Sequence, residues 1–327
     1  MGDIKIDRAV IEVNGACNFD CTMCPQDKRV GGRHKGFLAK MNLMEFEDNL
    51  RDCKQHGMRV VNLDGSGEAT LNRNLPMYIA LVKKYDCQAV IFSNGFKMHG
   101  QFMKDCVDAG LDFFRFSFVG SNPEKYQEWM NNTRGSSYHI IKKNIEEMMA
   151  YVKATGSTCV VETYHLITDN ANLDAELDEY KALVEELGCK TEIWKMHNWS
   201  GAYDIGDNKR EGTTKTCGRP FSPDVVIRAG GIDGGRGAVH PCCQVLGRDE
   251  EAVMGHTSHN TIEEIIRGPE YSALRESHRT GEYTDYCGDC DFLLDDPETL
   301  VYTNNNRATQ KMIGTDFNLE DYRNGGV

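Results

Sequence analysis

The stretch NGACNFDCTMC, residues 14–24, decides the fold and carries three cysteines, Cys17, Cys21 and Cys24, in a C-x3-C-x2-C array. The array directly follows an apolar segment, Ala9–Val13, that is typical of a β-strand. Three thiolates this close together can bind one face of a [4Fe–4S] cluster and leave its fourth iron open, whereas structural clusters usually take four cysteines. Zinc is the alternative metal, although structural zinc sites usually have paired C-x2-C elements, and no second pair lies nearby. The spacing therefore favours an iron–sulfur site with one open iron.

Strand-like and helix-like segments alternate over the first two thirds of the chain. Strands are predicted at Ala9–Val13, Val60–Leu63, Ala89–Phe92, Phe113–Phe118, Cys159–Tyr164 and Thr191–Trp194. Helices are predicted at Leu43–His56, Pro76–Tyr85, Met98–Ala109, Ser137–Thr155 and Leu173–Leu187. Because parallel strands need crossover connections, this alternation predicts an α/β fold with a parallel sheet. A complete eight-fold barrel would need two more units, so the pattern predicts a partial (β/α)6 barrel over residues 1–200.

The last third of the chain has a different composition. A polar, glycine-bearing linker begins near Asn198, and two short strands, Val225–Arg228 and Ala238–His240, follow it. The segment AGGIDGGRG between them predicts a hairpin turn, since it lacks the Lys-Ser/Thr of a phosphate-binding loop and no helix follows it. A helix is predicted near Ile262–His278. We expect residues 201–327 to form a small α+β domain of their own.

Charge and hydropathy exclude several classes of partner. The net charge of −13 argues against a nucleic-acid partner, because phosphate binding needs a positive surface. No apolar run approaches the length that spans a bilayer, and the N-terminus lacks the apolar region of a secretory signal. We therefore expect a cytoplasmic protein without a membrane partner. The loop Lys28–Lys40 is locally basic and could either hold an anionic substrate group or be a solvated loop.

Thirteen cysteines are unusually many for a chain in a reducing compartment, where clustered cysteines more often bind metal than form disulfides. Five lie singly in periodic segments, and we expect them to be buried apolar residues. These five are Cys53, Cys87, Cys106, Cys159 and Cys189. A second group gathers in the last third, and four of its members could form a four-thiolate site for iron–sulfur or zinc. These four are Cys217, Cys242, Cys287 and Cys290.

The N-terminal motif resembles the signature of radical S-adenosylmethionine (radical SAM) enzymes, and the resemblance extends over about residues 5–200. It implies that Cys17, Cys21 and Cys24 hold the cluster and that SAM chelates the open iron through its amino and carboxylate groups. One electron, from a flavodoxin- or ferredoxin-type reductant, then splits the sulfonium into methionine and a 5′-deoxyadenosyl radical. The family often has an aromatic residue before the third cysteine, where this chain has Met23.

The same resemblance implies a set of SAM-binding residues at the ends of the predicted strands, where barrel sites assemble. They are Gly65, Ser66, Gly67, Glu68, Ser93, Asn94, Ser117 and Arg134. The first four look like the family's Gly-Gly-Glu element, in which glycine lets the backbone approach the ligand and the carboxylate can bind the ammonium group. Ser93 and Asn94 resemble its Thr/Ser-Asn-Gly segment. Ser117 matches a polar residue on the ribose or carboxylate, and Arg134 matches an arginine that pairs with the carboxylate.

The C-terminal cysteines resemble the extension called SPASM in its shortened "twitch" form. No cysteine follows Cys290, so the resemblance implies one auxiliary [4Fe–4S] cluster, held by the four cysteines already grouped above. Cys242 and Cys243 are adjacent, and neighbours in an extended segment point to opposite sides. By analogy Cys242 is the ligand. Cys243 could then pack inertly, replace Cys242 as ligand, or donate a hydrogen atom to a substrate radical, as a cysteine does in some radical epimerases.

These resemblances imply hydrogen-atom abstraction followed by oxidation (dehydrogenation) or epimerisation of a small polar substrate, such as a sugar or an aminocyclitol. Modification of a ribosomally made peptide is the alternative. Many such enzymes carry a leader-binding domain before the cysteine motif, and here sixteen residues precede Cys17. A non-catalytic electron-transfer protein is an alternative of another class, although such proteins are usually compact and saturate their clusters with cysteine.

Overall fold

One ten-stranded sheet organises the part of the chain that the computed structural model describes, which is residues 4–26, 33–130, 137–209, 212–214, 216–222, 224–294 and 299–304. Its first six strands are β1 Arg8–Ile11, β2 Val60–Asn62, β3 Gln88–Ser93, β4 Phe113–Ser117, β5 Val160–Leu166 and β6 Lys190–Trp194. They lie in chain order, and every neighbouring pair is parallel. The predicted partial (β/α)6 barrel is therefore confirmed.

Six helices accompany these strands. They are α1 Leu43–Gln55, α2 Leu75–Lys84, α3 Gly100–Asp108, α4 Pro123–Trp129, α5 Tyr138–Thr155 and α6 Leu173–Leu187. The prediction missed α4, a seven-residue helix that begins where the Asn122 side chain accepts a hydrogen bond from the Lys125 amide. So short a segment shows little helical periodicity, so its N-cap and the following Pro123 were the available signals.

The two faces of the six-stranded part differ in chemistry because successive side chains alternate across a strand. One face belongs to the main apolar core, which includes Val61, Leu63 and Phe114. The opposite face, called here the inner face, carries many polar side chains at the intervening positions, together with the apolar Val90, Phe92 and Phe113. The polar side chains are Asn62, Asp64, Arg115, Ser117, Glu162, Tyr164 and Glu192. A buried polar surface of this kind requires internal hydrogen bonds or a polar ligand.

The C-terminal part continues the same sheet. Its elements are β7 Asp224–Ile227, β8 Ala238–His240, β9 Gly255–His256, α7 Ile262–Arg267, α8 Pro269–Thr280, α9 Asp285–Gly288 and β10 Leu300–Thr303. Strand β7 lies parallel to β1, and β8 pairs with β7 in antiparallel fashion, which confirms the predicted hairpin. Strand β10 pairs antiparallel with β6 and covers the other edge. The boundary at residue 200 stays a prediction.

The single helix predicted near Ile262–His278 is wrong in one respect, because the structure has two helices there. Gly268 lies between them in an extended conformation, with φ −67° and ψ 170°. The residue before a proline avoids helical geometry, and Pro269 then starts a new helix at the position proline tolerates best. Among the described residues, no helix combines the length and apolar character that crossing a bilayer requires.

Candidate functional site

Cys17, Cys21 and Cys24 lie on the loop after β1, called here the cysteine loop (residues 14–24). The Cys24 amide donates to the Cys21 carbonyl at 3.0 Å, and the Phe19 amide points at the Cys17 sulfur at 3.4 Å. Burial raises the pKa of the Cys17 thiol to about 12, and the negative charges of Glu68 and Cys24 add to this effect. Burial, followed by Cys17 and Cys24, also raises the pKa of Cys21. Cys17 and Cys21 are thus desolvated beside Cys24, and a bound cationic group would favour their thiolate forms.

The loop after β2, residues 65–68, packs directly on the chain that follows β1. The amides of Ser66 and Gly67 donate to the Glu12 carboxylate oxygen Oε1 at 2.8 and 3.2 Å. A Cβ atom on Gly67 would lie 2.1 Å from the Asn14 carbonyl oxygen, and one on Gly65 would lie 2.7 Å from Glu12 side-chain carbons. The sequence suggested glycine here for approach to a ligand. The structure shows that close packing against the protein's own backbone already requires it.

Glu68 joins the β2 and β3 loops. Its carboxylate accepts hydrogen bonds from the Thr70 amide and hydroxyl at 2.9 and 2.6 Å, from Ser93 Oγ at 2.7 Å, and from the Asn94 amide at 2.9 Å. Asn94 in turn donates from Nδ2 to Asn18 Oδ1 at 3.0 Å, and the same nitrogen lies 4.0 Å from the Cys17 sulfur. The structure therefore brings these expected SAM-binding residues against the cysteine loop. That Glu68 binds the cofactor's ammonium group stays a prediction.

Two further expected SAM-binding residues have different outcomes. Ser117 is the last residue of β4 and lies opposite Tyr164 in the β4–β5 register. This places it on the inner face, half-buried, at the carboxyl end of its strand. Arg134 lies outside the described residues.

A buried ion-pair network crosses the inner face below Ser117. Arg115 donates from Nε to Glu162 and from Nη2 to Glu192, both at 2.6 Å. Its guanidinium also lies 4.5 Å from the centre of the Phe92 ring. Burial raises the pKa of nearby Asp64 to about 6, although hydrogen bonds and the charge of Arg115 oppose the rise. The inner face therefore combines buried charged groups with aromatic side chains such as Phe92.

Cys217, Cys242, Cys287 and Cys290 lie close enough to oppose one another's ionisation. Burial and then Cys242 raise the pKa of Cys217 to about 11, and burial and then Cys217 raise that of Cys290 to about 11. Burial raises the pKa of Cys242 to about 12, with Arg219 acting in the opposite direction, and burial and Cys242 raise that of Cys287. The four predicted auxiliary ligands thus form one desolvated thiol group. In the described part of the chain, no three His, Cys, Asp or Glu side chains converge as ligands of a single metal ion.

Cys243 lies within electrostatic range of Cys242 and shares Arg219 with three of the four auxiliary cysteines. Arg219 Nη1 lies 3.6 Å from the Cys243 sulfur. Burial raises the pKa of the inner-face residue Tyr164, and the charges of Glu192 and Cys243 reinforce the rise. Burial alone would lower the pKa of Arg219, but its electrostatic interaction with the surrounding cysteines raises it. Cys243 is therefore a neighbour of both the auxiliary thiols and the inner face.

Sequence reasoning missed three residues of this region. Glu12 is fully buried and binds the β2 loop, and its signal was a charged residue in an otherwise apolar strand segment. Arg219 follows Cys217 by two residues, which placed a cation beside a predicted ligand. Trp199 donates from its indole nitrogen to the Met23 carbonyl at 2.7 Å, and no local pattern indicated that contact.

Comparison with known proteins supports the interpretation of both regions. A family model described as the radical SAM superfamily matches residues 11–174, half of the chain. The chain belongs to the radical SAM superfamily. A second model, described as an iron–sulfur cluster-binding domain of the SPASM type, matches residues 234–291. No curated protein matches the sequence.

Solved structures of radical SAM enzymes share the fold. BtrN in complex with AdoMet and 2-DOIA is 16% identical, with a TM-score of 0.59 and coverage of 92% of this chain and 100% of BtrN. Streptococcus suis SuiB bound to the precursor peptide SuiA is 14% identical, with a TM-score of 0.65 and coverage of 89% and 70%. The protein anSMEcpe with bound AdoMet is 13% identical, with a TM-score of 0.52 and coverage of 82% and 79%. At these identities the likeness shows the fold.

This radical SAM enzyme uses SAM and a [4Fe–4S] cluster, and its SPASM domain binds auxiliary iron–sulfur. The expected cofactors are thereby confirmed. The described residues fit these groups, since each region contains buried thiols whose ionised form a bound iron–sulfur cluster would stabilise. In addition, the Ser66 hydroxyl on the β2 loop is buried and has no hydrogen-bond partner among the described residues. An unpaired buried hydroxyl at this position is suited to a polar ligand.

Proposed function

We propose that Cys17, Cys21 and Cys24 hold the radical SAM cluster and that Cys217, Cys242, Cys287 and Cys290 hold a single auxiliary [4Fe–4S] cluster. The support is that each set is clustered in one buried site, where burial and then neighbouring cysteines of the set raise the pKa values of Cys21 and Cys287. When bound and reduced, the first cluster and SAM supply a 5′-deoxyadenosyl radical that removes a hydrogen atom from a C–H bond.

The SAM-binding surface in this proposal is the edge formed by the β2 loop, the β3 loop and the end of β4. Ser66 contributes an unpaired hydroxyl, and Asn94 joins this edge to the cysteine loop. Ser117 extends it onto the inner face. Glu68 holds the β2 and β3 loops together through its hydrogen bonds with Ser93 and Asn94, in addition to any contact with the ammonium group.

The substrate in this proposal is a small polar molecule, such as a sugar or an aminocyclitol, that lies against the inner face. The observation that carries this proposal is the buried charged layer of Arg115, Glu162 and Glu192, with Tyr164 and Cys243 beside it. Carboxylates and a guanidinium can orient the hydroxyl and amino groups of a substrate by charge-assisted hydrogen bonds.

The reaction in this proposal is oxidation or epimerisation at the carbon that loses the hydrogen atom. If the Cys243 thiol returns a hydrogen atom to the opposite face of that carbon, the configuration inverts, and the thiyl radical would take up one electron from the external reductant and one proton to restore the thiol. If the substrate radical instead loses one electron and one proton, an alcohol becomes a ketone; the electron would pass to the auxiliary cluster held by Cys217, Cys242, Cys287 and Cys290, and the proton to solvent. Arg219 lies 3.6 Å from the Cys243 sulfur and is positioned to orient it.

The test begins with iron and sulfide content after anaerobic reconstitution. We expect about eight irons per chain in the native protein and about four in a Cys24→Ala or a Cys287→Ala variant. Cys53→Ala is the matched control, since Cys53 is equally a thiol but is buried in the core and belongs to neither cysteine group. Dithionite and SAM should then yield 5′-deoxyadenosine only in variants that keep the first cluster. A fully loaded native protein that forms none would overturn the radical mechanism.

Substrate class is tested by adding aminocyclitols, aminosugars or short peptides one at a time and measuring stimulation of 5′-deoxyadenosine formation. The proposal expects stimulation by polyols, and stimulation by peptides but not by polyols would contradict it.

The type of reaction is then tested with a polyol that stimulates the enzyme, by letting native protein and the Cys243→Ala variant each form product in D2O. Epimerisation incorporates one solvent deuterium and is lost in the variant, whereas oxidation incorporates none and persists. A Cys243→Ala variant with full epimerase turnover would exclude the thiol donor.

A further inference from the structure

The carboxylate of Glu12 is a meeting point for three separate parts of the chain. Its Oε1 accepts from the Ser66 and Gly67 amides, at 2.8 and 3.2 Å, and from Arg33 Nη1 at 2.9 Å. Its Oε2 accepts from the Ala229 amide at 3.0 Å and is 3.4 Å from Arg33 Nη2. Glu12 is fully buried, so water cannot replace any of these contacts.

The three parts have different origins. Ser66 and Gly67 belong to the β2 loop, which the proposed function assigns to SAM. Arg33 belongs to the segment that follows the cysteine loop, and its Nη1 also donates to the Gly15 carbonyl at 3.2 Å. Ala229 follows β7 and begins the turn of the C-terminal hairpin. One carboxylate therefore joins the proposed cofactor loop to the cysteine loop and to the C-terminal part.

The network continues into the C-terminal hairpin. Arg33 lies 3.5 Å from Asp249, and Asp249 lies 3.6 Å from Arg228, which is also fully buried. The Asp249 backbone carbonyl is 2.8 Å from the His240 ring nitrogen Nε2, and its carboxylate accepts from the Gly247 amide at 3.3 Å. The buried charges thus alternate in sign from Glu12 to Arg228 and cross from the first six strands to the hairpin.

The Glu12 side chain is held in its ionised, carboxylate form by this environment. Burial by itself raises the pKa of Glu12, but the charges of Arg33 and Arg228 and the hydrogen bonds from Arg33 and Ala229 lower it to about 2. A glutamine of the same shape has one acceptor oxygen and a donor amide group in place of the second oxygen. Since five donor contacts converge on the carboxylate, glutamine would leave at least two donors facing another donor. Burying unpaired donors is costly, so the loop or the hairpin must move.

We propose that Glu12 is a positioning residue that fixes the Ser66–Gly67 backbone for SAM and orders the β7–β8 hairpin at the same time, so that cofactor binding and hairpin order are coupled. This inference rests on the proposed assignment of the β2 loop to SAM. Glu12 itself touches no cofactor in this proposal. It acts through the two amides that it holds and through the Ala229 amide.

The central experiment compares Glu12→Gln with Glu176→Gln in the reconstituted enzyme. Glu176 is a close match, because it is buried and accepts from two backbone amides, Thr168 and Asp169, at 2.9 to 3.0 Å. Burial raises its pKa, but hydrogen bonds from His165 and Thr168 lower it to about 2. Glu176 holds the backbone of the loop after β5, whereas Glu12 holds that of the β2 loop. Any general cost of neutralising a buried carboxylate therefore appears in both variants.

Two readouts separate positioning from general destabilisation. SAM affinity, measured by equilibrium dialysis without reductant, should weaken roughly tenfold or more in Glu12→Gln and stay within twofold of native in Glu176→Gln. Hydrogen exchange should show that SAM slows exchange in the peptide containing Ala229 of the native protein. That protection should disappear in Glu12→Gln at a SAM concentration that saturates the variant.

Failure of the proposed function and failure of the positioning role of Glu12 give different results. If native protein with a full cluster does not bind SAM, the proposed function fails. If native protein binds SAM and Glu12→Gln binds it equally well, or if SAM leaves exchange at Ala229 unchanged in native protein, the positioning role fails.

A second variant keeps the inference open to disproof if Glu12→Gln does not fold. Asp249→Asn removes the charge that links Arg33 to Arg228 and leaves the Glu12 contacts with Ser66 and Gly67 in place. We expect SAM affinity close to native in Asp249→Asn but a smaller SAM-dependent protection of the Ala229 peptide. Unchanged protection in this variant would contradict the coupling.

Discussion

At the scale of single residues, the site depends on side chains that hold backbone groups in place. Trp199 is an instance, since its indole N–H donates to the Met23 carbonyl between Cys21 and Cys24. Trp199 has a φ of +50°, in the left-handed region that is unfavourable for a large side chain. The hydrogen bond and the contact of its ring with His197, at 4.5 Å between centres, accompany this conformation. The unfavourable backbone conformation of Trp199 thus accompanies a hydrogen bond that attaches it to the cysteine loop.

Replacement of Trp199 by phenylalanine keeps an aromatic ring and removes the donor. We expect the free energy of unfolding to fall by about 1 kcal/mol, because the Met23 carbonyl loses its partner. Trp129→Phe is the control, since no hydrogen bond of the Trp129 indole is present in the described structure. Anaerobic urea unfolding of both variants provides the measurement, and equal losses in the two would contradict a specific role for the Trp199 donor.

At the scale of elements, helix ends show how local sequence fixes boundaries. Helix α1 begins with a capping box, in which Asn42 Oδ1 accepts from the amides of Met44 and Glu45 at 3.0 and 2.9 Å. The Glu45 carboxylate accepts in return from the Asn42 amide at 3.0 Å and also binds Arg236 at 2.6 Å. The cap of α1 therefore also attaches the turn of the C-terminal hairpin.

We expect Asn42→Ala to lower the free energy of unfolding by about 1 kcal/mol, because two amides at the start of α1 lose their acceptor. Asn74 is the matched control, since it occupies the same position before α2 but makes no side-chain capping hydrogen bond. Asn74→Ala should change stability by a few tenths of that amount. Thermal or urea unfolding decides the matter, and a cost at Asn74 equal to that at Asn42 would show that capping is not the cause.

At the scale of the whole molecule, one sheet carries both cysteine groups. Strand β7 lies beside β1, and the Glu12 amide donates to the Ile227 carbonyl at 2.9 Å just beyond the paired residues. Helix α8 is attached to the segment before β7, because His278 Nδ1 lies 2.7 Å from Thr216 Oγ1, next to Cys217. Unfolding of the C-terminal part should therefore disturb the whole sheet.

Burial lowers the pKa of His278 to about 4, against an ordinary value near 6.5. Below pH 6.5 the unfolded chain takes up a proton that the folded chain does not, so this contribution to stability is complete above pH 6.5. It is lost as the pH falls toward 4, at about 1.4 kcal/mol for each pH unit. Since other histidines also titrate, the informative quantity is the difference in unfolding free energy between native protein and His278→Gln from pH 7.5 to 5.5. A constant difference across that range would exclude the effect.

The sequence predicted the six parallel strands within a few residues because their apolar runs and the helices between them are local patterns. Strand β4, for instance, was expected at Phe113–Phe118 and is Phe113–Ser117. The burial of five scattered cysteines was also predictable, and Cys53 and Cys106 are fully buried. Strand β10 was not predicted, since a four-residue edge strand with a bulge has no clear period.

Sequence alone determined the superfamily and the alternation of strands and helices, and it predicted two groups of cysteine ligands, because these rest on residue type and on local motifs such as C-x3-C-x2-C and C-x2-C. Tertiary structure decided what meets across long separations. It placed Arg33, which belongs to a loop that sequence suggested could be solvated or bind an anion, in a buried pair with Glu12. It also placed β7 beside β1, and Cys243 within electrostatic range of Tyr164. Such contacts arise from the pairing of buried charges and from the assembly of distant strands into one sheet, which depend on neighbours far apart in sequence and leave no local pattern.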